Sequence, residues 1–214
     1  MRKLRIVLLV IILLNIVLFA SDTNQILAYF LKIKGNVRVQ KNNKWVDVKR
    51  GDRILNGNVI KVDKKGLAII KFIDKGDIVA IKENSTIKIQ GKINNGKIEK
   101  RLFLKVGDIM AIVKKGSSGE FDINTPTATA SVKGTEFDLS FKSDTTFLSA
   151  YQGVISLFNN EGEILVNKGE SAICISGSAP KLVKERLKRT NRLVIEILDE
   201  RNKRKIIELN YEEK

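Results

Sequence analysis

From Ile26 onward, apolar and polar residues alternate with a period of two. In "ILAYFLKIKGNVRVQ", Ile33, Val37 and Val39 stand against Lys34, Arg38 and Gln40, the pattern of a half-buried strand. Asn42-Asn43 supplies a turn, and "KWVDV" reads as the returning strand. "LAIIKFI" (67–73), "DIVAIKE" (77–83), "STIKIQG" (85–91), "KRLFLKV" (100–106), "DIMAIVKK" (108–115) and "EFDIN" (120–124) follow in the same style. "TEFDLSF", "TTFLSAYQ", "VISLFN", "EILVN" and "SAICIS" continue it to residue 176. Short strands separated by Gly, Asn and Asp turns predict an all-β domain over 26–178, a compact β-roll or solenoid-like body or a sandwich of many short strands. One turn element recurs: Gly51-Asp52, Gly76-Asp77, Gly107-Asp108 and Gly169-Glu170 each follow an apolar strand end. Glycine permits positive φ, and the acid accepts local backbone hydrogen bonds. Their spacings of 25, 31 and 62 residues do not make a strict repeat.

The densest pattern is "TPTATASVKGTEFDLSF", residues 125–141. Ala128, Ala130 and Val132 share one face while Thr127, Thr129 and Ser131 share the other, so neither face carries bulk. Beyond it, Thr135, Phe137, Leu139 and Phe141 form the apolar face. The inward positions have moved from even to odd. A strand does this only through an extra residue, which places a bulge or turn at Lys133-Gly134.

Both ends break the period-two texture. "MRKLRIVLLVIILLNIVLFA" joins a basic start to an apolar run, Ile6 to Phe19, interrupted only by Asn15. Fourteen helical residues reach about 21 Å, short of a hydrocarbon core of roughly 30 Å. Residues 1–20 therefore read as a secretory signal peptide ending at Ala20 or as an uncleaved N-terminal anchor, and either predicts an exported protein of the periplasm or cell envelope. After Pro180, Val183, Leu187, Thr190, Val194 and Ile197 form a stripe of helical spacing. This predicts a tail over 179–214 with a helix at its front, while "LVIEIL" (193–198) and "KIIELNY" (205–211) also fit a strand hairpin.

Composition narrows the chemistry. The chain contains no histidine and a single cysteine, Cys174. An internal disulfide is impossible, and the usual bases for nucleophilic catalysis and most zinc, copper and haem ligand sets are missing. No catalytic residue, metal ligand or cofactor is expected. Glu136 and Asp138 share a strand face, the only arrangement suggesting paired carboxylates, but Glu136 has no partner at a glycosidase spacing. The net charge of +15 is spread along the chain, with 25 basic and 17 acidic side chains over 21–180. With aromatics at 6%, stacking platforms for nucleic acid are not expected. The partner predicted is an envelope protein or glycan, with membrane contact only through the N-terminal segment if it is uncleaved.

"TPTATASVKGTEFDL" resembles the motif of the FecR domain, the periplasmic module of iron-citrate-type regulators. Thr125, Pro126, Thr127 and Ala128 match its opening, and Lys133, Gly134, Thr135, Glu136 and Phe137 match its basic-Gly-Thr-Glu-Phe core. "GNVRVQKNNKWVDVKRGDRILNGNVIKV", "KENSTIKI", "AYQGVISLFN" and "LVNKGESAICIS" resemble its other strands, so the likeness runs over roughly residues 32–176. "FIDKGDIV" departs from the family's Asp-Gly-Ser/Thr turn. Only five residues precede the apolar run, where the family's regulators carry a cytoplasmic anti-sigma segment. The resemblance implies a stand-alone, exported, non-enzymatic binding, sensing or signalling-scaffold module. The alternative is an envelope structural protein whose basic face holds anionic glycan or lipid.

Overall fold

The computed structural model describes residues 25–74, 76–116 and 120–184, together with the backbone of two further strands, 191–198 and 204–211. The leader expected at 1–20 lies outside the described residues. Strands β1 (Ile26–Lys34), β2 (Val37–Lys41), β3 (Lys44–Asp47), β4 (Arg53–Leu55), β5 (Val59–Val62), β6 (Leu67–Phe72), β7 (Ile78–Ile81) and β8 (Ser85–Asn94) lead to β9 (Lys97–Ile112). After it come β10 (Phe121–Asn124), β11 (Thr129–Val132), β12 (Glu136–Lys142), β13 (Thr145–Gln152), β14 (Val154–Asn159), β15 (Gly162–Asn167), β16 (Ser171–Ile175) and β17 (Lys181–Val183). A separate hairpin joins β18 (Asn191–Leu198) to β19 (Arg204–Tyr211).

The ladders form two facing sheets. The first runs β4-β1-β6-β7-β9-β12-β13-β16-β17. The second runs β3-β2-β5-β8-β9-β10-β11-β14-β15, and every pairing is antiparallel except β9 with β10. The chain folds hairpin by hairpin and alternates between the layers, so the body is a roll flattened into a sandwich. Inward-facing residues, among them Phe30, Ile60, Ile70, Leu102, Phe121 and Phe137, meet in one core between the sheets. The β domain holds no helix among the described residues, as the alternation requires.

β9 belongs to both layers. Its first part pairs with β8, ending at Val106 opposite Thr86, and its second part pairs with β12, beginning at Gly107 opposite Phe141. Gly107 was expected at a turn but lies inside this continuous strand. Lys105 and Val106 are both exposed, which shifts the inward phase, and Gly107 takes φ +108° with Ser85 Cα only 2.5 Å from where a Cβ would sit. No other residue fits that approach. Gly51, Gly76 and Gly169 also have positive φ and lie in connections between strands. The β8–β9 hairpin reaches further than the alternation suggests, closing at Asn95-Gly96 with positive φ at both residues, a type I′ preference.

Gly134 marks a crossing between layers. β11 lies in the second sheet and β12 in the first, and the buried positions change from Ala128, Ala130 and Val132 to Phe137, Leu139 and Phe141. The extra residue expected at Lys133-Gly134 is therefore the step from one sheet to the other, taken at φ +67°. An equivalent step joins β5 to β6 through Lys65-Gly66.

Where the front of 179–214 is described it is strand, not the expected helix. Lys181–Val183 pairs with Ser171–Ile173 of β16, and residues 191–198 pair with 204–211. The alternation Leu193, Ile195, Ile197 overrides the sparser helical stripe. Residues 185–190, the middle of that stripe, lie outside the described residues.

An internal likeness links the two ends of the roll. Gly35, Gly51 and Asp52 correspond to Gly153, Gly169 and Glu170, each 118 residues later. Gly51 N–H donates to Phe30 O (2.8 Å) and Gly169 N–H to Ala150 O (2.7 Å). Asp52 accepts from Lys49 N (3.1 Å) as Glu170 accepts from Asn167 N (2.8 Å).

Candidate functional site

The Thr-Pro-Thr motif closes one end of the sandwich. Thr125 leaves β10, and its Oγ1 accepts from the Thr127 and Ala128 amides (3.3 and 3.0 Å) while bonding Ala128 O at 2.9 Å. Pro126, which has no N–H to satisfy, occupies the exposed apex of this loop. Thr146 of β13 lies 2.6 Å from both Thr125 Oγ1 and Thr127 Oγ1, and Thr127 Oγ1 also donates to Cys174 O (3.1 Å). Three buried hydroxyls thus tie the second sheet to β13 and β16 of the first. Asn159 braces the same corner: Nδ2 reaches Thr127 O (3.3 Å) and Ser178 O (2.8 Å), and Oδ1 accepts from Glu161 and Gly162 amides (3.0 and 3.2 Å). An open depression of about 360 Å³ lies outside it, bordered by Thr125, Thr127, Phe158, Asn159, Glu161 and Ser176.

The hydroxyls of this corner are engaged with one another and with carbonyls. Burial, followed by the neighbouring Glu161 charge, pushes the Cys174 thiol above its usual value of 9.0, which keeps it protonated near neutrality. No group of three or more metal-ligating side chains occurs among the described residues.

The second half of the motif lies at the other end of β11. The four strand residues 129–132 separate Lys133 from Ala128, five rises or about 17 Å, so the structure does not gather the nine motif residues into one site. Lys133 is exposed. At Gly134 a Cβ would stand 2.6 Å from Lys115 Cγ. Thr135 and Phe137 are buried, and Thr135 O accepts Val113 N–H at 2.8 Å. Glu136 and Asp138 share the outward face, and Asp138 is held by Tyr151 Oη (3.0 Å) and Lys82 Nζ (3.7 Å).

One buried cluster was not anticipated from the sequence. Lys100, 1% exposed, points into the core with Nζ 2.6 Å from Asp74 Oδ2, 3.0 Å from Asp77 Oδ2 and 3.3 Å from Ile98 O. The Phe72 and Phe121 rings flank the ammonium at 5.3 and 5.9 Å. Asp77 Oδ1 accepts Lys114 N–H at 2.9 Å. The signal was present: Lys100 shares the inward phase of Ile98, Leu102 and Leu104, and its partners come from the unusual "FIDKGDIV" turn. The cluster pins that turn over the core, since a lone buried charge would be costly.

The outer face of the second sheet carries a row of exposed aromatic residues. Consecutive registers, Trp45 with Gln40, Gln40 with Val59, Val59 with Lys88 and Lys88 with Phe103, set these residues in one row across five strands. The row continues through Asn124 and Thr129 to Phe158. Trp45, Phe103 and Phe158 are 41%, 38% and 37% exposed. Arg101 and Lys105 flank Phe103 along β9 and are exposed too.

Residues 58–156 match the family model described as FecR protein. The chain carries a FecR domain. The match spans β5 into β14 and contains all nine motif residues, whereas Gly51 and Gly169 fall outside it. No curated protein sequence matches the chain. Two crystal structures of a candidate anti-sigma factor from Parabacteroides distasonis ATCC 8503, at 2.50 and 1.65 Å resolution, resemble it with TM-scores of 0.50 and 0.49. Each is 15% identical, and the likeness covers 60% of this chain and 59% of theirs. The chain thus spans under two thirds of those neighbours' length, and at that identity the likeness concerns the fold. Within this domain Thr125 and Thr127 of the motif close a corner, and Gly134 carries the chain between layers.

Proposed function

We propose that the chain is an exported, non-enzymatic FecR-domain module that binds or senses a partner in the cell envelope and acts as a signalling scaffold. The observation that carries this reading is the row from Trp45 to Phe158, an exposed aromatic and basic stripe that the fold itself does not use. The family match supports a signalling or sensing class, and the basic, then apolar leader supports export. The test is capture from envelope extract on immobilised protein, comparing the natural chain with the double variant Trp45→Ala, Phe103→Ala. A specific envelope protein retained by the natural chain and reduced at least tenfold by the variant is expected. Equal capture by both would remove the row from the reading.

A second reading rests on the surroundings of Phe103. Lys88 and Lys105 place two positive charges beside an exposed ring, with Arg101 next to them also meeting Glu120 at 3.8 Å, a combination suited to an anionic glycan. Binding to alginate beads would then weaken steeply between 0.05 and 0.5 M salt, because exposed charges are screened within about 10 Å at 0.1 M. Salt-independent retention would exclude it.

A further inference from the structure

The outer face of the first sheet behaves differently from that of the second. Ile69, Ala80 and Met110 stand level with one another on β6, β7 and β9, and Ile78 lies one row away on the same side. These four are only 0–3% exposed and form an apolar cluster of their own, ringed by Leu31, Leu67 and Ile112. They cannot belong to the main core, because their strand neighbours Ile70, Val79, Ile81, Ile109 and Ala111 already face it. Farther along, Ser149 and Ser171 join hydroxyls at 2.8 Å on the same outer side and are 2% and 4% exposed. An apolar sheet face buried to this degree is one on which a third layer rests.

The two sheets supply only two layers, and the one described element outside them is the β18–β19 hairpin. Its register sets Leu193 level with Leu209 and Ile195 level with Ile207. By the alternation of strands, these four positions share one side of the hairpin. A two-stranded hairpin is at best marginally stable alone and needs a surface to cover. It follows β17, the edge strand of the same sheet. Eight steps from Val183 to Asn191 span up to about 27 Å, and the four strand spacings from β17 to β9 amount to about 19 Å. The tether reaches the β9 edge of the patch, and the hairpin's own eight-residue strands, about 27 Å long, can extend from there across β7 and β6.

We propose that the C-terminal hairpin lies on the outer face of the first sheet as a third layer, its Leu193–Ile195–Ile207–Leu209 side over Ile69, Ile78 and Met110. The roll is thereby closed on one face by its own tail and left open on the other.

Met110 and Met1 are the only methionines, so oxidation of Met110 by hydrogen peroxide, followed by mass spectrometry, reads this face directly. In the full chain Met110 should oxidise slowly, and in the full-length Ile195→Lys, Ile207→Lys variant at least tenfold faster. Cys174, buried in the main core, is the control: it should stay protected from a thiol reagent in both. If Cys174 also becomes reactive, the milder Ile195→Ser variant replaces the double one, and a faster Met110 rate is again required. Unchanged Met110 rates in the hairpin variants would overturn the proposal. So would acceleration by Leu9→Lys alone, which would make the apolar leader the cover. A natural-chain rate that falls as protein concentration rises would assign the cover to a second copy and overturn it as well.

Discussion

The two ends of the roll are built to one plan but finished differently. In both, a positive-φ glycine leads into a hairpin of the second sheet, and a Gly-acid turn returns the chain to the first. Each leading glycine is also pressed against the backbone of a layer crossing: a Cβ on Gly35 would stand 3.0 Å from Gly66 Cα, and one on Gly153 2.9 Å from Gly134 O. The hairpin tips diverge. In the first unit β3 is exposed along its length and carries Trp45. In the second, Asn159 and the threonine hydroxyls lock the tip to β16 and to the loop before β11. The shared part makes the fold, and the part that differs separates an exposed edge from a sealed corner.

The largest effect is expected at the centre that both units share. Lys100→Ala would leave Asp74 and Asp77 buried without their cation, costing about 3–5 kcal/mol in urea denaturation, with both ends of the roll lost in one transition. Next, Gly35→Ala and Gly153→Ala should each cost about 2–4 kcal/mol, because the new methyl meets backbone at positive φ. A harmless substitution at either would break the equivalence.

Asn159→Ala removes bonds to Thr127, Ser178, Glu161 and Gly162 and should cost about 2 kcal/mol. The matching Lys41→Ala, 118 residues earlier and exposed, should stay within about 0.5 kcal/mol. That contrast sharpens the comparison most directly. Gly51→Ala and Gly169→Ala have positive φ but open space around them, so both should lose a similar amount, about 1 kcal/mol.

The smallest effect belongs to Cys174. Its thiol pKa is raised in the folded chain, so the unfolded chain releases the proton first. The thiol's contribution to stability should therefore be constant below about pH 8 and decline as pH rises past 9, and Cys174→Ala should lack that alkaline slope. A slope that survives the substitution would place its origin elsewhere.

Much of this was legible in the sequence. The all-β class followed from alternation, and the even-to-odd change across Lys133-Gly134 announced a rearrangement that proves to be a change of sheet. Gly107 was misread because a strand crossing between sheets and a strand ending at a turn both interrupt the inward phase at a glycine. The hydroxyl network was hidden because Thr127 finds Thr146 and Cys174 19 and 47 residues away, and sequence spacing is silent about such meetings. Lys100 was readable in principle, as a lysine in an inward phase. For the tail the sequence offered both a helix and a strand hairpin over 193–198 and 205–211; the Leu193-Ile195-Ile197 alternation carries the hairpin, and residues 185–190, inside the helical stripe, lie outside the described residues.

β9 has a mechanical consequence. A sandwich whose layers share no strand could be prised open like the covers of a book. Here a single sixteen-residue rod is threaded through both covers, so neither can lift without tearing ladders in the other. A load applied at one edge is therefore carried to the opposite one through covalent chain.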